Sequence, residues 1–99
     1  MVFELAAHKI LSDLKTGNYR LSVHALDMMA ARKLIDADII RIAETCHKFD
    51  DLGEGIYRIV GTQLNGKGIA AVCKIEDNTV IITIMKRRIN KRYILNEKK

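Results

Sequence analysis

"IYRIVGTQLNGKGIAAVCKI", residues 56 to 75, decides the fold. Two runs rich in Ile, Val and small apolar residues flank the pair Asn65-Gly66. A two-residue type I′ turn needs positive φ at both central positions, and Asn-Gly accepts it, so the stretch predicts a β-hairpin. A third run, "TVIITIMKR" (79 to 87), follows Asp77-Asn78, a weaker turn pair of the same kind. The second half of the chain therefore reads as an antiparallel meander. Its last strand is almost wholly apolar, which predicts a place inside the sheet with both faces covered.

Upstream the period changes. Phe3, Ala6, Ala7, Ile10, Leu11 and Leu14 recur at three- and four-residue spacing and predict an amphipathic helix over 2–15, stopped by Gly17-Asn18. Tyr19 to Leu21 reads as a short extended piece, and Ser22 as the N-cap of a helix from Val23 to Lys33. That helix is expected to turn Leu26, Met29 and Ala30 inward. Asp36 is expected to cap a third helix, where Ile39, Ile40 and Ala43 keep helical spacing. Helices first and strands after give an α+β fold, N-terminal helices packed on a three- to four-stranded antiparallel sheet.

The chain has 99 residues, 48% of them hydrophobic, which suits one domain over 1–99 with a single core. It contains no proline, repeat or low-complexity tract, so no linker is expected. The longest uncharged apolar run, "TVIITIM", is too short to span a bilayer. The start "MVFELAAHKI" carries an early Glu4 and lacks the pattern of a signal peptide, which points to the cytoplasm. Cys46 and Cys73 belong to no metal or redox motif and read as free thiols. Cys46 and His47 are adjacent, and on a helix would point about 100° apart, a poor ligand pair. No metal and no cofactor are expected.

Charge is unevenly placed. Residues 86 to 99 hold seven Lys or Arg and one acid, a net +6 against +5 for the chain, so the first 85 residues carry −1. Such a run either solvates a tail or contacts phosphates, with Tyr93 available to stack on a base. Lys86, Arg87, Arg88, Lys91 and Arg92 are the cations concerned.

The pattern His24-Ala25-x-x-x-Met29-x-x-Arg32, then Leu34, Asp38 and Ile39, and finally Thr83 in an apolar strand, resembles a group of small bacterial domains. These are related to BrnT and more distantly to RelE and ParE toxins. The resemblance covers residues 19–88, leaving 1–18 as an extra helix and 89–99 as a basic tail. It implies a small sheet with helices on one face, metal-independent RNA cleavage, action on RNA or the ribosome, and a cognate antitoxin protein as partner. The chain departs from the pattern at Met28, where the group has an arginine.

Metal-free RNA cleavage needs a base for the ribose 2′-hydroxyl, donors for the phosphate and an acid for the leaving oxygen. His24, in the first turn of its helix, suits the base because the dipole there favours neutral imidazole. Arg32 suits the phosphate, but lies eight positions on, about 80° around and about 12 Å along the axis. Strict alternation sets Thr83 with Ile81 and Met85, and Val80, Ile82, Ile84 and Lys86 on the other face. The expected site gathers His24, Arg32, Arg58, Thr83 and the 86–88 cluster on one surface. Each residue also has an ordinary structural use: helix-start packing for His24, a dipole-favoured end for Arg32, strand propensity for Thr83, and a solvent-facing strand position for Arg58.

Two functions fit. One is a toxin-type endoribonuclease or a degenerate relative of one. The other is a non-catalytic module that binds nucleic acid or protein through the basic C-terminal stretch. An open edge on the meander also allows a homodimer.

Overall fold

The computed structural model describes residues 3–86. Helix α1 (Phe3–Thr16) buries the one-per-turn stripe Ala6, Ile10 and Leu14 together with Asp13. Glu4 and Lys15 complement its dipole, and Gly17 at φ +82 takes the chain out of it. Strand β1 (Tyr19–Leu21) follows.

Helix α2 (Val23–Arg32) is capped as expected by Ser22, whose Oγ accepts from Ala25 N at 3.0 Å and donates to Ile82 O at 2.6 Å. Its exit is a left-handed Lys33, whose N–H donates to Ala30 O at 3.2 Å. The inner face differs from expectation. Ala25 and Met29 are buried, while Leu26 is 53% exposed and Ala30 also faces solvent. The cause is packing: α2 lies mainly on one strand of the sheet, so only a narrow i, i+4 stripe is covered.

Helix α3 (Asp36–Glu44) also starts differently. Asp38, not Asp36, satisfies the helix entry: its Oδ2 accepts from Ile35 N at 3.0 Å and its Oδ1 from Leu64 N at 2.9 Å. That buried carboxylate ties α3 to the loop beyond the next-but-one strand. Asp36 instead accepts from the Tyr19 hydroxyl at 3.0 Å.

Four strands complete the chain: β2 (Lys48–Gly53), β3 (Ile56–Thr62), β4 (Gly68–Glu76) and β5 (Asn78–Lys86). The α+β class stands, but the sheet has five strands in the order β1-β5-β4-β3-β2, with β1 parallel to β5 and the rest antiparallel. β2, "KFDDLG", shows no apolar alternation; pairing with β3 and the stacking of Phe49 on Phe3 and Tyr57 (centroids 5.2 and 5.5 Å) hold it. The β3–β4 turn has positive φ at Gly66 only, with Gly66 N donating to Gln63 O and Gln63 N to Lys67 O, both at 2.9 Å. It is a type I turn closed by a left-handed glycine, a three-residue loop rather than the expected two-residue one.

All three helices pack on one face of the sheet, where Ile59, Ile69, Ala71, Cys73, Ile81 and Ile84 meet Ile10, Leu14, Ile39 and Ile42 in one core. Gly61 lets α3 pass close: a Cβ there would sit 2.4 Å from Ile42 O and 2.8 Å from Thr45 Oγ1. Among the described residues no helix is long and apolar enough to cross a membrane.

Candidate functional site

The register of β5 determines which side chains share a surface. Val72 pairs with Thr83 but Cys73 pairs with Ile81, so Ile82 is an extra residue, a β-bulge. The bulge resets the alternation: Ile81, Ile84 and Lys86 share the helix-covered face, while Val80, Thr83 and Met85 share the other. Strict alternation had set Thr83 with Ile81; the structure moves it to the opposite side.

The expected single surface is therefore split by the sheet. Arg58 pairs with Val72, which pairs with Thr83, so both lie on the face away from the helices. Arg58 is also engaged, donating through Nε and Nη2 to Asp50 Oδ2 at 3.1 and 2.8 Å. His24 and Arg32 belong to α2, on the helix side. Arg87, Arg88, Lys91, Arg92 and Tyr93 lie outside the described residues.

On the helix side two of the expected residues do meet. A cleft of about 450 Å³ opens between the C-terminal half of α2, the β3–β4 loop and the end of β5. Arg32, Lys67 and Lys86 supply three cations, and Gln63 and Asn65 supply side-chain amides. Met28 and Ala31 form its apolar wall, and among the described residues no carboxylate lines it. Among the described residues none of the three cations is in an ion pair. Arg32 Nε is buried without a hydrogen-bond partner among the described residues. An unpaired buried donor costs about 1–3 kcal/mol.

Each lining residue has a local reason for its place. Arg32 is the last helical residue of α2, held by the left-handed turn at Lys33. The hairpin loop is fixed by Gly66 and by Asn65 Oδ1, which accepts from Lys67 N at 2.9 Å. The bulge at Ile82 brings Lys86 round to the same side. The sequence reading missed Gln63, Asn65 and Lys67 as site residues, taking Asn65-Gly66 as a turn pair and Gln63 and Lys67 as the ends of its flanking strands; the one signal was a lysine immediately after the turn glycine.

His24 is exposed and does not line the cleft. It sits four residues before Met28, so it occupies the same stripe of α2 one turn nearer the N-terminus. Cys73 is a poor alternative nucleophile, since burial pushes its thiol up to about 12 and keeps it protonated. Among the described residues no cluster of three or more His, Cys, Asp or Glu could hold a metal ion.

The fold and cleft define a small α+β domain with a cationic groove beside its second helix. Residues 21–86 match the domain of unknown function DUF4258, and the chain belongs to that family. The match begins at Leu21, the last residue of β1, and ends at Lys86, so it contains the whole cleft and excludes α1. No curated protein and no solved structure is significantly similar to the chain.

Proposed function

We propose that the chain binds RNA in the cytoplasm, gripping the phosphodiester backbone in the cleft between α2 and β5. The observation that carries the reading is the cleft's composition among the described residues: Arg32, Lys67 and Lys86 together, two amides, and no carboxylate. Arginine's forked donors suit phosphate oxygens, and lysines add charge at close range. The chain runs on from Lys86 into Arg87, Arg88, Lys91, Arg92 and Tyr93, which extends the same charge in sequence. The amides offer partners to base edges, and the Met28–Ala31 wall offers a flat apolar surface.

A metal-independent endoribonuclease of toxin type is the second reading, with the resemblance to BrnT, RelE and ParE and a cognate antitoxin behind it. Its supporting observation is that His24 shares the α2 stripe with Met28 and Ala31 of the cleft wall. In that reaction neutral His24 takes the 2′-hydroxyl proton, the 2′-oxygen attacks phosphorus, and the 5′-oxygen leaves with a proton from an acid. Arg32 bears the charge that builds on the phosphate. Met28 leaves this wall one cation short of the resembled group's pattern.

Single-stranded RNA retention over a salt series, in chelator, tests both. Wild-type protein is expected to retain RNA with a steep salt slope. An Arg32→Ala, Lys67→Ala, Lys86→Ala variant is expected to bind far more weakly, its slope lower by about 0.7 per cation removed. Undiminished retention by that variant removes the cleft from the function. Discrete fragments that vanish in His24→Ala decide for the enzyme.

A further inference from the structure

We propose that two copies of the chain join through β2, antiparallel and centred on Phe49, into one continuous ten-stranded sheet. The argument is independent of the cleft. β1 is only three residues long, so β2 is the long open edge of the described sheet. An open edge presents unpaired N–H and C=O groups, and proteins usually blunt it with charge or a bulge. β2 has both, but their placement leaves a docking segment. The bulge lies after Asp51, and the segment from His47 to Asp51 is free of it.

Its charges are self-complementary in one register. With Phe49 opposite the partner copy's Phe49, Lys48 of each copy faces Asp50 of the other, and His47 faces Asp51. A slide of two positions one way sets Asp50 against Asp50; the other way sets Lys48 against Lys48. A slide of one position puts Phe49 against Asp50 or against Lys48, and throws the helices onto opposite faces, since side chains alternate along a strand. Only the Phe49-centred register avoids each of these costs.

The side chains are free to do it. Asp50 takes both bonds from Arg58 on Oδ2, which leaves Oδ1 for the partner copy's lysine. Lys48 is exposed and in no ion pair among the described residues. Asp51 uses Oδ1 to accept from Gly53 N at 2.8 Å and keeps Oδ2. On the helix side, Phe3 is 43% exposed and stands edge-on to Phe49, so the pairing buries an aromatic seam of four rings, two from each copy. The arrangement is isologous and closes at two copies.

Sedimentation of the full chain from low to high micromolar concentration tests the inference. A monomer–dimer equilibrium that weakens with salt is expected. Lys48→Glu should weaken self-association by about tenfold or more, because two like-charge pairs replace two ion pairs. Asp50→Lys should do the same, and an equimolar mixture of the two variants should associate again. Should Asp50→Lys lose its fold with its Arg58 partner, crosslinking takes its place. Phe49→Cys in a Cys46→Ser background should form a disulfide-linked dimer under mild oxidant, because facing Cα atoms in such a pair lie about 4.5 to 5.5 Å apart. Leu64→Cys in the same background should not. A monomer at every concentration, or a dimer indifferent to Lys48→Glu and not linked through position 49, overturns the proposal.

Discussion

Asp13, in the last turn of α1, accepts two hydrogen bonds from Thr79 at the start of β5: from its N–H at 3.0 Å and from its hydroxyl at 2.9 Å, both on Oδ2. The two residues are 66 positions apart and both buried, at 5% and 0% exposure. Lys9 sits one turn back, 3.3 Å from the same carboxylate oxygen, which keeps the charge paired. This joint fixes the extra helix, which lies outside the family match, to the sheet inside it. Asp13→Ala should cost about 2 to 4 kcal/mol, since a buried amide and a buried hydroxyl both lose their acceptor. At about 4 to 8 °C per kcal/mol for a domain of this size, thermal unfolding should reveal the loss plainly. A Tm within a degree or two of wild type contradicts it.

Gly61 is a second test of packing, and a purely steric one. Its missing Cβ makes room for the last turn of α3, where Ile42 O and Thr45 Oγ1 would lie at 2.4 and 2.8 Å from an added methyl. Backbone cannot swing aside as a side chain can, and Thr45 Oγ1 is committed to Thr62 N at 2.8 Å. Gly61→Ala should therefore destabilise by about 2 to 3 kcal/mol in denaturant unfolding, although alanine normally suits a strand better than glycine. Wild-type or greater stability would show that α3 retreats at no cost.

Tyr19 gives a pH dependence. Burial first, and then the hydrogen bond and charge of Asp36, push its phenol from 10.0 up to about 12. The folded state thus holds the proton more tightly than the unfolded chain. The associated stability is complete below about pH 10 and is lost as pH rises toward 12. Absorbance titration of phenolate should show a late-titrating component that disappears in Tyr19→Phe, and that variant should lose less stability than wild type between pH 10 and 12. Identical alkaline profiles would dismiss the bond to Asp36 as a cause.

How much of this was legible in the chain depends on whether a stretch carries phase information. Ala6, Ile10 and Leu14 are set one turn apart among polar neighbours, so α1 and its buried side follow from spacing. Ser22 is a good cap by residue type, and Asn65-Gly66 marks a turn. "VIITIM" carries no such marks: with apolar residues on both phases, nothing in it betrays the bulge at Ile82. That one extra residue takes Thr83 away from the helix side and brings Lys86 to it. The candidate site was therefore half legible. Arg32 and Lys86 could be picked out by charge, but their meeting depends on a backbone irregularity. β2 was missed because "KFDDLG" follows none of the strand rules and owes its conformation to β3 and to the rings of Phe3 and Tyr57.

Arg32 should separate stability from function. Its Nε is buried and has no hydrogen-bond partner among the described residues, where a buried donor carries a desolvation cost. Methionine keeps a long apolar stem of similar reach and removes the unsatisfied donor. Arg32→Met should leave the Tm unchanged or raise it, with a gain of up to about 1 kcal/mol, while RNA retention in the cleft falls steeply. Arg32→Lys should keep part of the retention, because charge survives while the forked donor geometry does not. A residue kept for packing behaves otherwise: Arg32→Met would lower the Tm and leave RNA retention where it was. The two variants, measured by thermal unfolding and by retention at one fixed salt concentration, thus decide whether this position serves the fold or the ligand.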